Sequence, residues 1–176
     1  QQLAYKVLAT TGHTALQDTA AVNGVAPSKP SVATDGGLKH AGRGLAFGTF
    51  GTWEPGREWA QISLEELTFA RPLGNGFLPR PSGIMLAGII PGVFNSSSRA
   101  ELAGLISALA KPIGLHIALD NKSVADRARS IIEGTCQHRR PWRLMPDGDL
   151  WKLVAQLIAE RREGSTKVSW TKGHAG

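Results

Sequence analysis

Two short β-type runs in this 176-residue chain finish on an acid: SVATD (31–35) and LHIALD (115–120). Each has an alanine two residues before its aspartate, so Ala33 shares a face with Asp35 and Ala118 with Asp120. Small neighbours leave room for a helix, and the segment SSRAELAGLISALA (97–110) offers Glu101 in its first turn. Three carboxylates that converge without basic partners repel one another and raise each other's pKa until cations neutralise them. Hard divalent cations suit that task, and Mg2+ takes oxygen ligands, keeps several waters and shares its shell with substrate phosphate. Each acid also has a plainer role. Asp35 precedes Gly36-Gly37 as in a turn, Asp120 precedes Asn121 as in a helix cap, and Glu101 with Ser98 fits an S-x-x-E capping box. Their joint placement, each at an element end with space beside it, puts a shared site level with three separate structural roles. GRGLAFG (42–48) has neither the dinucleotide nor the phosphate-loop spacing, so its glycines read as strand or turn residues.

The elements that must position these acids follow from periodicity. SVATD and GLAFGTFGTW (44–53) predict two adjacent antiparallel strands, with EPGR (54–57) as a tight turn. A third strand is either IMLAGII (84–90) or EWAQIS (58–63), and residues 64–83 read as an insertion or irregular loop. Leu102, Leu105, Ile106 and Leu109 make one apolar face of a helix over 97–110, closed by KPIG. A strand over 115–120, a helix over 121–132, an amphipathic helix over 149–163 and a strand over 167–171 complete the order β-β-β-α-β-α-α-β. That order is an α/β or α+β mixed sheet with helices packed on it. Trp151 is expected to pack its helix onto the sheet.

Composition narrows the partners. Twenty Lys and Arg against fourteen Asp and Glu give a net charge of +6, which favours a polyanion, with nucleic acid ahead of a membrane surface. No apolar run approaches the roughly 18 residues of a membrane-spanning helix, and the start lacks a signal-peptide pattern. The expectation is an intracellular protein with no membrane partner. A single cysteine, Cys136, excludes an internal disulfide and a Cys-rich zinc site and reads as an inert thiol. HRRPWR (138–143), with Lys122, Arg127 and Arg129, groups positive charge after the second aspartate and suits a nucleic-acid backbone through Arg139 and Arg140.

Taken in order, TDGG, SSRAEL, LDNKSV, DLW and WTKGHAG resemble type 1 ribonuclease H, free-standing or attached to a reverse transcriptase. The likeness covers residues 31–176; residues 1–30, ending in APSKP, read as a loosely structured lead-in or linker. The resemblance implies a five-stranded sheet whose first three strands are antiparallel. It implies that Asp35, Glu101 and Asp120 hold two Mg2+ ions, or Mn2+ in their place, and that His174 is a catalytic histidine. The expected activity is two-metal hydrolysis of the RNA strand of RNA–DNA hybrids. The backbone at Gly36 and Gly37 and the side chains of Ser97 and Ser98 are candidates for reading the ribose 2′-hydroxyl. Ser97 and Ser98 stand where the family often has two asparagines, Asn121 stands where it usually has serine, and the loop after Asp35 lacks the Asn- and Pro-containing turn of many members. The family's fourth carboxylate lies on a terminal helix beyond the histidine, so the chain reads as a domain cut short from a longer retroelement product, possessing reduced activity on its own. The rival is a catalytically inactive nucleic-acid-binding domain of the same fold.

Overall fold

The computed structural model describes residues 24–39, 47–55, 70–72, 83–90, 96–111, 113–137 and 140–172. Six strands form one mixed sheet: β1 (Val32–Lys39), β2 (Phe47–Pro55), β3 (Ala70–Pro72), β4 (Gly83–Ile90), β5 (Leu115–Leu119) and β6 (Thr166–Trp170). Their spatial order is β3-β4-β2-β1-β5-β6. β1, β2 and β4 pair antiparallel, and β5 and β6 continue the sheet in parallel from β1. The five long strands are those expected, and IMLAGII supplies the third; EWAQIS lies outside the described residues. The three-residue β3, paired with β4 inside the segment read as an irregular loop, adds a sixth strand at the edge.

Three helices accompany the sheet: α1 (Ser97–Leu109), α2 (Lys122–Ile132) and α3 (Gly148–Glu160). α1 is buried nearly all round. It lies between the strands β1 and β2 on one side and α3 on the other, so a helix expected to show one apolar face is sandwiched. Its cap also differs from expectation. Ser96, not Ser98, accepts the Arg99 amide at 3.1 Å, which frees Glu101 from any capping duty. Asn121, not Asp120, caps α2 through its side-chain oxygen on the Val124 amide at 3.1 Å. Both acids are thereby released for other partners.

Trp151 is buried, but in a helix layer rather than on the sheet: α3 packs on α1, and the Arg127 guanidinium lies 5.3 Å from the Trp151 ring centroid. The end of α1 is fixed by Arg161, whose buried guanidinium donates to the carbonyls of Leu109, Lys111, Ile113 and Ser165 and to the Thr166 hydroxyl. Burial lowers its pKa to about 10. A buried ion pair between Lys111 and Glu54 ties the same helix end to β2.

Residues 24–31, within the segment read as a loose lead-in, are held against the sheet. Ala26 N–H donates to the Gly164 carbonyl at 2.9 Å and Ser31 N–H to the His116 carbonyl at 2.8 Å. The His116 ring completes the strap, with Nδ1 3.0 Å from the Pro27 carbonyl and Nε2 2.5 Å from the Ser169 hydroxyl. A carbonyl only accepts, so Nδ1 carries the proton and Nε2 accepts from Ser169 in the neutral ring.

Candidate metal and nucleic-acid site

Register brings the two aspartates together. Ala33 pairs with Ala118 across the parallel β1–β5 ladder, so Asp35 and Asp120, two residues on, emerge side by side on one face. Asp35 does not end its strand as expected. β1 runs on through Gly36 and Gly37 to Lys39, and Asp35 pairs opposite Gly51 in mid-strand. Asp120 stands at the elbow where β5 turns into α2.

Glu101 reaches the pair because α1 lies unusually close to the sheet, and the closeness is on the face opposite to the one expected. The helix crosses the Thr34 and Gly36 side of β1, not the Ala33 side: a Cβ on Gly36 would fall 2.5 Å from the Glu101 amide nitrogen, and one on Gly104 would fall 3.3 Å from the Thr34 Cβ. Gly36 and Gly104 therefore supply the room that the alanines were expected to supply. Gly37 is also a strand residue, its carbonyl 3.5 Å from the Thr49 hydroxyl.

One oxygen from each of Asp35, Glu101 and Asp120 lies within 4.8 Å of the others. Asp35 is exposed, Asp120 half-buried and Glu101 only 3% exposed. Burial, followed by hydrogen bonding to the Asp120 side chain and the charges of Asp120 and Asp35, pushes Glu101 up to about 8. Glu101 therefore holds a proton at neutral pH unless a cation replaces it. Its Oε1 is buried without a hydrogen-bond partner among the described residues. Three carboxylates within this distance, one of them buried with an oxygen that has no donor among the described residues, make the donor set of a hard cation, so these residues fit Mg2+ or Mn2+.

No family model and no curated protein matches the sequence. Among solved structures, LC9-RNase H1, a type 1 RNase H with the type 2 active-site motif, superposes with a TM-score of 0.52 at 18% identity, over 85% of this chain and 66% of that one. The fold is ribonuclease H-like. The prototype foamy virus protease-reverse transcriptase matches with a TM-score of 0.50 at 15% identity, over 89% of this chain and 19% of that one. The PFV RNase H domain in solution matches at 0.49 and 17% identity, over 81% and 78% of the two chains. This chain thus spans less than two thirds of LC9-RNase H1 and a fifth of the viral chain.

Within this ribonuclease H-like frame the remaining candidate residues are dispersed. Ser97 is exposed and Ser98 half-buried in the first turn of α1, ahead of Glu101. His174 and Arg139 lie outside the described residues. Arg140 is exposed, as is Arg143 in the 3-10 turn Trp142–Leu144. The other cations expected beside them are engaged elsewhere: Lys122 and Arg129 reach Asp126 at 2.6 and 3.8 Å, and Arg127 covers Trp151. Sequence reasoning missed Arg99. Its buried guanidinium forks onto Asp149, Nη1 to Oδ1 at 3.0 Å and Nη2 to Oδ2 at 2.7 Å, with Asp147 at 3.4 Å. The pair raises Arg99 and lowers Asp149, and it anchors the N-terminus of α3 to the turn of α1 that carries Glu101. An arginine two residues before Glu101 and the acids of PDGDLW were the available signal.

Proposed function

We propose that this chain is a metal-dependent endonuclease of the ribonuclease H type that hydrolyses the RNA strand of RNA–DNA hybrids. Residues 31–176 would be the nuclease domain, joined in the full-length product to a reverse transcriptase. The observation that carries the reading is the three-carboxylate cluster, with its buried, protonated and half-unpartnered Glu101, in a ribonuclease H-like fold.

Asp35, Glu101 and Asp120 would hold the cations. Two bound Mg2+ ions, or Mn2+ in their place, would supply an activated water and stabilise charge at the scissile phosphodiester. Glu101 would give up its proton on loading, which links occupancy to pH. Ser97 and Ser98 offer hydroxyls for the 2′-hydroxyl that separates RNA from DNA, and Arg140 offers a phosphate contact. His174 is proposed as a proton carrier. The chain's net charge of +6 supports a polyanionic substrate.

The test is cleavage of a hybrid labelled on its RNA strand as Mg2+ is raised, beside the same duplex in all-DNA form. Cleavage confined to the RNA strand of the hybrid is the expected result. Hybrid binding with no cleavage at any Mg2+ or Mn2+ concentration would replace this reading with that of a non-catalytic nucleic-acid-binding domain.

A further inference from the structure

Asp120 occupies a one-residue elbow. Before it, the Leu119 carbonyl takes the last ladder bond of the sheet, from the Thr171 amide at 2.8 Å. After it, Asn121 is committed to capping α2. The Asp120 peptide itself belongs to neither element, and among the described residues no backbone group pairs with its carbonyl in the sheet or the helix. Trp170 fills that gap: its indole Nε1–H donates to the Asp120 carbonyl at 3.0 Å. Beside the same residue, a Glu101 carboxylate oxygen lies within 4.8 Å of one from the Asp120 carboxylate. Among the described residues the indole is thus the hydrogen-bond partner of the Asp120 carbonyl, next to the carboxylate cluster.

Packing alone does not account for Trp170. It is 42% exposed, whereas Val168, two residues earlier on the same face, is buried. Burial holds this indole only in part, while its N–H makes a bond of well-formed length to one particular carbonyl. Leu119 pairs with Trp170 in register, so the backbone of β6 places the ring where the side chain can continue the ladder after the main chain has diverged.

We propose that Trp170 is a positioning residue for the Asp120 metal ligand, with the indole N–H fixing the peptide plane from which the carboxylate projects. This rests on the metal reading above. A carboxylate on an unanchored elbow must be ordered when the cation arrives, and that ordering weakens binding. The anchored elbow carries the ordering in advance.

The experiment compares Mn2+ binding, followed by the electron-spin resonance signal of the free ion, in the unsubstituted chain and in two variants. Trp170→Phe removes the donor and part of the ring. Replacement of Trp170 by benzothienylalanine keeps the bicyclic shape and removes only the N–H. Thermal unfolding in EDTA reports any purely structural effect. The expected result is a roughly five- to tenfold weaker Mn2+ affinity in both variants, equivalent to about one hydrogen bond, with the metal-free unfolding midpoint of the benzothienyl form unchanged. Unchanged Mn2+ affinity in the benzothienyl form overturns the proposal, even if Trp170→Phe unfolds. A lower metal-free midpoint with unchanged affinity of the folded protein overturns it too and leaves Trp170 a packing residue. Absence of Mn2+ binding by the unsubstituted chain overturns the metal reading itself, and the positioning role with it.

Discussion

A Cβ on Gly36 would lie 2.5 Å from the amide nitrogen of Glu101 and 2.6 Å from the carbonyl carbon of Ala100. Both are backbone atoms of a buried helix, so neither can swing aside. The absence of a side chain at this one strand position sets how near α1 comes to β1, and therefore whether Glu101 can meet Asp35 and Asp120. Gly36→Ala is expected to destabilise the protein by about 1–3 kcal/mol through overpacking and to weaken divalent-cation binding in whatever folds. Gly37→Ala meets only the Thr49 hydroxyl, at 2.8 Å, and should cost less. Urea unfolding of the two variants side by side checks the order.

Asp35→Asn and Asp120→Asn are each expected to abolish hybrid cleavage and to leave the fold intact, because each removes a ligand while relieving carboxylate repulsion. Cleavage assays paired with circular dichroism measure both halves. Parental cleavage rates in either variant would show that the assigned cluster does not serve the reaction.

Glu101 gives the metal-free protein a pH signature. Its carboxyl titrates near the ordinary 4.5 when unfolded and at about 8 when folded. Below the unfolded value both states are protonated and this group costs nothing. As pH rises from about 4.5 to 8 the unfolded chain loses the proton first, and stability falls progressively until the folded group also ionises. Glu101→Gln has no such titration. In EDTA it should match the parent near pH 4 and exceed it near pH 9 by on the order of 5 kcal/mol. Equal pH dependence of the two proteins in chemical denaturation would contradict the burial argument.

The Arg99–Asp149 fork predicts the opposite trend. Asp149 is held below the ordinary carboxylate range by Arg99, so its contribution is present above its unfolded pKa and disappears as pH falls through the lowered folded value. Asp149 is half-exposed and Asp147 remains as a second partner, which limits the effect of Asp149→Asn to about 1 kcal/mol at pH 7. The difference should vanish in strong acid, as followed by thermal unfolding from pH 7 to pH 2.

Arg140→Glu is expected to weaken hybrid binding and to flatten its salt dependence, by about 0.9 in the log-log slope for each phosphate no longer neutralised. Titrations of a fluorescent hybrid between roughly 50 and 200 mM salt, the range over which such slopes are measured, give the number directly; an unchanged slope assigns Arg140 to plain solvated surface.

Much of this was legible in the sequence where local chemistry decides the outcome. Period-two and period-3.6 patterns located four of the five long strands and the three helices and offered IMLAGII as one of two places for the remaining strand. The alanine two residues before each aspartate put each pair on one face without showing that the two strands are neighbours. Tertiary geometry was less legible. Ser98 and Glu101 have capping-box spacing, but Ser96 has the extended backbone a cap requires, and nothing local separates three successive serines. The mid-strand position of Asp35 was hidden because Gly36 and Gly37 look like a turn; their role appears only when a helix lies across them. Arg99 with Asp149 and Trp170 with Asp120 join residues 50 apart in the chain, beyond the reach of periodicity.

The strap of residues 24–31 has a practical corollary for anyone attaching something to this protein. It crosses the sheet beside Gly114 and His116, at the start of β5, whereas Asp120 lies at that strand's far end. About six residue steps of extended chain separate the two, roughly 20 Å. A dye or a surface tether fixed at Gly24 itself would sit at the end of β5 away from the three carboxylates and leave them unobstructed.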